Sequence, residues 1–166
     1  IPYMQWARDG WMTLTDGDII DTDYILTELL QCTKLYNFHS CAYDRWRAVE
    51  LVKDVLEQIG PVSHTQTEQW MEGFTQTAGH FSAPLSQIEK MILRRQLNHG
   101  QNPVLEWMNR NIVIYSDTNG NIKIDKAKSS EKVDGMVALA MAVGQWMTYK
   151  HQYTEAYSPN SDIIIL

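Results

Sequence analysis

Hydrophobic and polar positions along the chain switch between strand-like and helix-like spacing, which indicates a domain built from both kinds of element. Short apolar runs predict strands at residues 11–15, 38–43 and 111–115, with a weaker one at 62–66. Apolar positions three and four apart predict helices at about 22–36, 46–59, 82–97, 104–108 and 131–150. Strands that alternate with helices indicate an α/β domain of three layers, in which helices flank a sheet.

Capping and turn residues place the ends of these elements. Asp21 or Thr22 is suited to cap the first helix, and Gly60 to end the second. Ser82 and Pro84 are expected to open the third helix, since proline favours the first helical turn. The polar, glycine-containing residues 67–81 before it predict a mobile loop.

The Asp-Thr-Asn-Gly sequence at residues 117–120 predicts a hairpin between the runs 111–115 and 122–124. The last helix should be followed by a tail at residues 158–166. We therefore expect one domain over residues 1–157 and a C-terminal tail.

Length and composition fit this domain. The chain has 166 residues, of which 44% are hydrophobic, enough for one core. No apolar run approaches the roughly 20 residues that span a bilayer, so we expect no membrane segment. Cys32 and Cys41 lie in apolar segments and are expected to pack as reduced thiols.

Charge is distributed unevenly along the chain. The net charge is −6, and residues 1–30 hold six acids against Arg8 alone. Residues 90–132 instead hold eight basic and four acidic side chains, and a locally basic surface can contact phosphates. The candidates for DNA contact are Arg94, Arg95, Lys123, Lys126, Lys128 and Lys132. The alternative is a solvated hairpin and loop.

Asp44 ends the apolar run at 38–43, where open α/β sheets expose functional groups. A carboxylate at that position can bind Mg²⁺, which prefers oxygen ligands. It could equally cap a helix that starts at Arg45 and Trp46. The spacing alone leaves both interpretations open.

Asp134 stands where the last helix should begin. The helix dipole favours an acid in the first turn, which is a purely structural explanation. The following residues, from Gly135 onward, are small and apolar, so we expect this helix to be buried on more than one face. A buried acid needs a partner, and a metal ion is one.

Several familiar catalytic motifs are missing from the sequence. It has no glycine-rich phosphate loop, no Ser-His-Asp order and no CxxC pair. These absences argue against an ATPase, a serine hydrolase and a zinc finger within this chain.

A series of short motifs occurs in order between about residues 3 and 147. They are Thr15-Asp16-Gly17-Asp18, Ala42-Tyr43-Asp44-Arg45-Trp46, Ser82-Ala83-Pro84, His99-Gly100-Gln101-Asn102-Pro103-Val104-Leu105, Asn111-Ile112-Val113, Asp125-Lys126 and Lys132-Val133-Asp134-Gly135-Met136-Val137-Ala138. In this order they resemble the nuclease domain of the large terminase subunit of tailed bacteriophages, of the HK97-like type.

The resemblance implies a ribonuclease H-like fold and a metal site built from three acidic positions. Asp44 matches the second of these positions and Asp134 the last. The first belongs to an opening strand upstream of Ile1, so we expect an N-terminally truncated nuclease domain. The family implies hydrolysis of phosphodiesters with two Mg²⁺ or Mn²⁺ ions, for which both aspartates would be ligands.

The resemblance also implies partners and a cellular setting. The substrate would be concatemeric double-stranded DNA, cut during packaging in the cytoplasm of the bacterial host. The expected protein partners are the terminase ATPase domain, the small terminase subunit and the portal of the procapsid. Alternatives are a non-catalytic module that docks DNA or the motor, including a degenerate prophage remnant, and another ribonuclease H-like nuclease or resolvase.

Overall fold

The computed structural model describes residues 1–18, 21–36, 39–46, 48–60, 70–153 and 163–164. The helices in these residues are α1 Tyr3–Arg8, α2 Thr22–Leu35, α3 Val49–Ile59, α4 Ala78–Leu93, α5 Pro103–Arg110 and α6 Asp134–Tyr153. The strands are β1 Cys41–Asp44, β2 Met71–Phe74, β3 Leu97–Asn98, β4 Ile114–Ser116, β5 Ile122–Ile124 and β6 Ile163–Ile164. The predicted α/β class is thus confirmed.

The chain forms two compact units. The smaller unit is Thr13–Thr75, and the larger unit combines Ile1–Met12 with Gln76–Leu166. The described strands form three two-stranded sheets, in which β1 pairs with β2, β3 with β6 and β4 with β5. The first two pairs are parallel and the third is antiparallel.

The smaller unit packs helices α2 and α3 against each other and places its core beside the parallel pair. Leu26 of α2, Val55 of α3 and Trp70 are almost fully buried together. The indole N–H of Trp70 donates to the Gly60 carbonyl oxygen at 2.8 Å, which ties the end of α3 to the start of β2.

Two predicted helix boundaries in this unit are confirmed. Asp21 is the N-cap of α2, and its carboxylate accepts from the Asp23 backbone N–H at 2.9 Å. Gly60 ends α3 with a φ of 68°, a left-handed conformation that glycine adopts at little cost. Burial in α2 centres on Leu26, while Ile25 faces solvent.

Other expectations for this unit are wrong. Helix α3 begins at Val49, three residues after the predicted start at Trp46, and Trp46 is 77% exposed. Residues 11–15 do not form a strand; Leu14 is exposed, and no described strand pairs with the segment. The weak strand at 62–66 lies outside the described residues.

The predicted loop at 67–81 contains regular structure from residue 71 onward. Met71–Phe74 is strand β2, and α4 begins at Ala78. Pro84, expected to open the helix, is its seventh residue. The helix also ends at Leu93, earlier than expected, and Leu97 starts the short strand β3.

The larger unit is built around α4 and α6, which contact each other, while α4 also contacts β5. The predicted hairpin is confirmed, with Ile114 opposite Ile124. Ser82 of α4 accepts from the backbone N–H of Ile122 at 3.3 Å and links helix to hairpin. The buried side chains here include Phe81, Ile88, Met91, Ile124, Val133, Met136, Val137, Ala140 and Met141.

Helix α5 packs against α6 and meets α1 through aromatic rings. Trp6 and Trp107 have ring centroids 5.5 Å apart, and Tyr3 lies edge-on to Trp107. Asn102 caps α5 by accepting from the N–H groups of Val104 and Leu105. In the described part of the chain, no helix has the length and apolar character to cross a membrane.

Candidate metal centre

Asp44 is the last residue of β1, as the sequence predicted, and its side chain is exposed. Its carboxylate accepts from the backbone N–H of Trp46 at 3.0 Å, which closes a tight turn after the strand. Since α3 begins only at Val49 and has no side-chain cap, Asp44 does not cap that helix. Helix capping, the structural alternative to a metal-binding role for Asp44, is therefore excluded.

The register of the parallel pair shows which residues share a face with Asp44. Because Asp44 pairs with Phe74 and Ala42 with Glu72, these four alternate onto one face of the sheet. Cys41 lies on the other face, in contact with the core between α2 and α3. Asp44 therefore belongs to the face that these two helices do not cover.

On the opposite face, Arg45 crosses the backbone of β2. A Cβ atom at Gly73 would come within 2.7 Å of Arg45 Cγ, closer than real Cβ contacts. Because residue 73 is a glycine, the side chain of Arg45, the residue after Asp44, can lie against the backbone of β2.

Asp134 is the first residue of α6, also as predicted. The expected burial of this acid is wrong, because its side chain is 64% exposed. The helix is buried over a wide arc, but its first turn reaches solvent on the side of Asp134. Its partner among the described residues is Lys126, whose Nζ lies 3.2 Å from Asp134 Oδ1.

The turn before α6 is held by Asp125. Its carboxylate accepts from the N–H groups of Ala127 and Lys128 at 3.2 Å, and its carbonyl oxygen accepts from Ser129. The Asp125 N–H donates to the Val113 carbonyl at 2.8 Å, which anchors the turn to the segment before β4. This network fixes the backbone that carries Lys126.

The start of α6 is fixed from its other side by α5. The backbone N–H of Gly135 donates to Met108 Sδ at 3.1 Å. A Cβ at Gly135 would come within 2.8 Å of that sulfur and 3.3 Å of Leu105 Cδ1. The close approach of α5 thus requires glycine beside Asp134.

The basic candidates have different surroundings. Lys123 Nζ lies 5.6 Å from the ring centroid of Tyr115, its cross-strand neighbour. Lys128 Nζ lies 3.7 Å from Asp125 Oδ2. Arg94 and Arg95 follow α4, and with Lys132 they are exposed. Of the six, Lys126 is the one whose ion pair joins it to a candidate metal ligand.

The donor chemistry fits a hard divalent cation at each aspartate. Both carboxylates are accessible to solvent, and carboxylate oxygens are the preferred ligands of Mg²⁺. At Asp134, the Lys126 ammonium already occupies a cation position. Among the described residues, however, no three His, Cys, Asp or Glu side chains form a group that could hold a metal ion.

The role of Lys126 beside Asp134 is the main feature that the sequence prediction missed. The sequence places Lys126 among the candidate DNA-contacting lysines, because it shows only the local charge. The pair bridges eight positions across a non-helical turn, so no helix or strand spacing would have joined the two. The available sequence signal is Asp125 itself, since an aspartate often accepts bonds from residues a few positions ahead, here two to four.

Comparison with known proteins assigns the chain to a family. The family model described as terminase large subunit, endonuclease domain, matches residues 1–150. The chain therefore belongs to the endonuclease-domain family of terminase large subunits, which confirms the predicted resemblance.

Two relatives and one solved structure agree with this assignment. The large terminase subunit of Enterobacteria phage HK97 is 32% identical over 143 residues, covering 86% of this chain and 27% of that protein. Protein YmfN of Escherichia coli strain K12 is 29% identical over 155 residues, covering 92% of this chain and 32% of that protein. The crystal structure of the HK97 bacteriophage large terminase matches with a TM-score of 0.76 and 30% identity, over 87% of this chain and 29% of that chain.

The structural match confirms the predicted ribonuclease H-like fold class. The chain spans less than a third of the length of the relatives that it matches.

Proposed function

We propose that this chain is the metal-dependent endonuclease domain of a DNA-packaging terminase. The observation that carries the proposal is the family match over residues 1–150, which includes both Asp44 and Asp134. The exposed carboxylates at a strand end and at a helix start support it, because both can accept a cation from solvent. The expected substrate is concatemeric double-stranded DNA.

In this proposal Asp44 and Asp134 act as ligands of Mg²⁺ or Mn²⁺ and not as nucleophiles. Two such ions, held by these carboxylates, would supply activation of water and stabilisation of the leaving 3′ oxygen.

The basic side chains would hold the DNA. Lys123, Lys126, Lys128, Lys132, Arg94 and Arg95 would contact backbone phosphates, whose contacts carry no base information. Cleavage should therefore show little sequence preference. We further propose the terminase ATPase domain, the small subunit and the procapsid portal as partners, in the cytoplasm of the bacterial host.

A second candidate is a non-catalytic module that docks DNA or the packaging motor. It is favoured by the lack, among the described residues, of any group of three metal-ligating side chains. Two carboxylates alone should hold a divalent ion weakly, since each missing anion removes a ligand and a compensating charge.

A plasmid-nicking assay separates the two candidates. We expect the 166-residue chain to nick weakly in millimolar Mn²⁺ and hardly at all in Mg²⁺. Asp44→Asn and Asp134→Asn should each abolish this nicking, because asparagine keeps the size but loses the charge. Asp54→Asn, an exposed acid on α3, is the matched control.

Thermal melts of all variants establish that they are folded. Undiminished cutting by a folded Asp44→Asn or Asp134→Asn variant would overturn the assignment of that aspartate as a metal ligand. No cutting by the folded wild-type chain in either ion would overturn the endonuclease proposal in favour of the docking module.

A further inference from the structure

The ion pair between Lys126 and Asp134 lies at the proposed metal site. The two charged groups are 3.2 Å apart, with side chains 46% and 64% exposed. An ordinary exposed pair contributes little to stability, because water screens it and both side chains lose freedom. Its significance depends on whether the fold holds the two partners in place.

Both partners stand on restrained backbone. Lys126 follows Asp125, whose carboxylate and carbonyl oxygens accept from the next turn. Asp134 precedes Gly135, which is bonded to Met108 of α5. The pair is thus directed by two anchored segments and does not depend on two freely moving surface chains.

The neighbouring lysine, Lys128, pairs with a different acid, so the pairing of Lys126 with Asp134 is selective. Lys128 follows in the same turn, but its ammonium lies 3.7 Å from Asp125 Oδ2. Lys128 therefore pairs with Asp125 of its own turn, while Lys126 pairs with Asp134 at the start of α6. Two lysines only two positions apart have different electrostatic roles.

We propose that Lys126 is a positioning residue that couples metal binding to DNA binding, and this inference rests on the proposed function. Without a divalent ion, its ammonium neutralises Asp134. A divalent ion at Asp134 competes with it for the carboxylate and repels it. The released ammonium then binds a phosphate of the DNA backbone beside the site.

The coupling is reciprocal, as linkage requires. If a divalent ion frees Lys126 for DNA, then DNA that holds Lys126 must raise the affinity for the ion by the same factor. The inference therefore makes a statement about binding equilibria that does not need any cleavage to occur.

The test measures Mn²⁺ binding at Asp134 directly, on the 166-residue chain. Bound Mn²⁺ broadens nearby amide resonances in NMR spectra, so titration of the Gly135 amide reports occupancy beside Asp134. Lys126→Gln should bind Mn²⁺ about two- to fivefold more tightly than wild type, the range that an exposed ion pair allows. Lys126→Arg, which keeps the charge, should stay near wild type.

Lys128→Gln is the matched control, because it removes the same charge from the same turn. Its Mn²⁺ affinity should change less than that of Lys126→Gln. In a second measurement, Mn²⁺ should raise the affinity of wild type for a DNA duplex more than that of Lys126→Gln.

Two outcomes would contradict the inference at different levels. Equal Mn²⁺ binding by Lys126→Gln and Lys128→Gln would overturn the role of Lys126 and leave the metal site standing. Equal broadening of Gly135 in wild type and in Asp134→Asn would remove Asp134 as a ligand, and with it both the inference and the proposed metal site.

Discussion

Gly135 and Met108 connect the first turn of α6 to α5 through a hydrogen bond from a backbone N–H to a thioether sulfur, 3.1 Å long. Because Gly135 directly follows Asp134, this contact fixes the position of the Asp134 backbone relative to α5. A backbone atom can approach the sulfur this closely because glycine has no Cβ. The packing of two helices thus determines where a candidate metal ligand stands.

Gly135→Ala should therefore lower the free energy of unfolding, although alanine is the better helix former. Its Cβ would meet Met108 Sδ at 2.8 Å and Leu105 Cδ1 at 3.3 Å, so the side chains of α5 must move. We expect a loss of about 1 kcal/mol, in the range found for overpacked sites. Urea unfolding measures it.

Gly79→Ala is the matched control for this prediction. Gly79 is also the second residue of its helix, α4, and a Cβ there meets nothing within 4 Å. This substitution should raise stability by up to about 1 kcal/mol through helix propensity. A Gly135→Ala variant as stable as Gly79→Ala would contradict this, because it would show that Met108 and Leu105 can move aside without lowering the free energy of unfolding.

Neutralising Lys132 should weaken DNA binding equally for all sequences. Each phosphate contact releases bound counterions, so Lys132→Gln should lower the slope of log affinity against log salt by about one. Fluorescence anisotropy with unrelated duplexes at several salt concentrations measures this. Lys53→Gln is the control, because Lys53 pairs with Glu57 on α3.

The full basic set provides the stronger test of the same surface. Joint replacement of Lys123, Lys126, Lys128 and Lys132 by glutamine should reduce the slope by several units. An unchanged slope would show that these four lysines do not contact the DNA backbone.

Local chemistry explains which elements the sequence predicted well. The Asp21 cap, the Gly60 stop and the hairpin at 117–120 depend on neighbouring residues alone, and all three occur in the structure. Each element needs only a few side chains close in sequence to select one backbone conformation.

The missed elements depend on distant partners. Met71–Phe74 contains a glycine and a glutamate and lacks strand alternation, so its strand state comes from pairing with β1. Pro84 misled the prediction of α4 because a proline can also occupy the helix interior when tertiary contacts support it, and here it is buried.

The candidate site was predictable in part for the same reason. Asp44 at a strand end and Asp134 at a helix start follow from local pattern, and both positions are correct. The exposure of Asp134 and its pairing with Lys126 depend on how the Asp125 turn folds against α6. No periodicity in the sequence records that arrangement.

The hairpin loop makes a prediction about acid titration. Asp117 accepts from the side-chain amide of Asn121 at 3.0 Å and from the N–H groups of Asn119 and Asn121 at 2.9 Å. The Asn121 side chain is the largest cause that holds the pKa of Asp117 below its ordinary value. Asn121→Ala should therefore raise the pKa of Asp117, which carboxyl-detected NMR titration can follow.

Asn119→Ala is the control in this loop, because Asn119 bonds Asp117 through its backbone N–H, which alanine keeps. Since the folded-state pKa of Asp117 is depressed, its stabilising effect is present above pH 4 and lost as pH falls. An Asn121→Ala variant with an unchanged Asp117 pKa would contradict this assignment of cause.

From the raised pKa of the Cys41 thiol we expect the protein to lose stability at alkaline pH. Burial, and to a smaller degree Cys32, raises the pKa of Cys41 from 9.0 to about 11. Between these values the unfolded chain releases the proton while the folded chain keeps it, so the free energy of unfolding falls as pH rises. The loss should reach roughly 2 kcal/mol at pH 11, at 1.36 kcal/mol per pKa unit. Urea unfolding from pH 8 to 11 should show this drop in wild type and in Cys32→Ala, but not in Cys41→Ala; parallel curves for wild type and Cys41→Ala would contradict it.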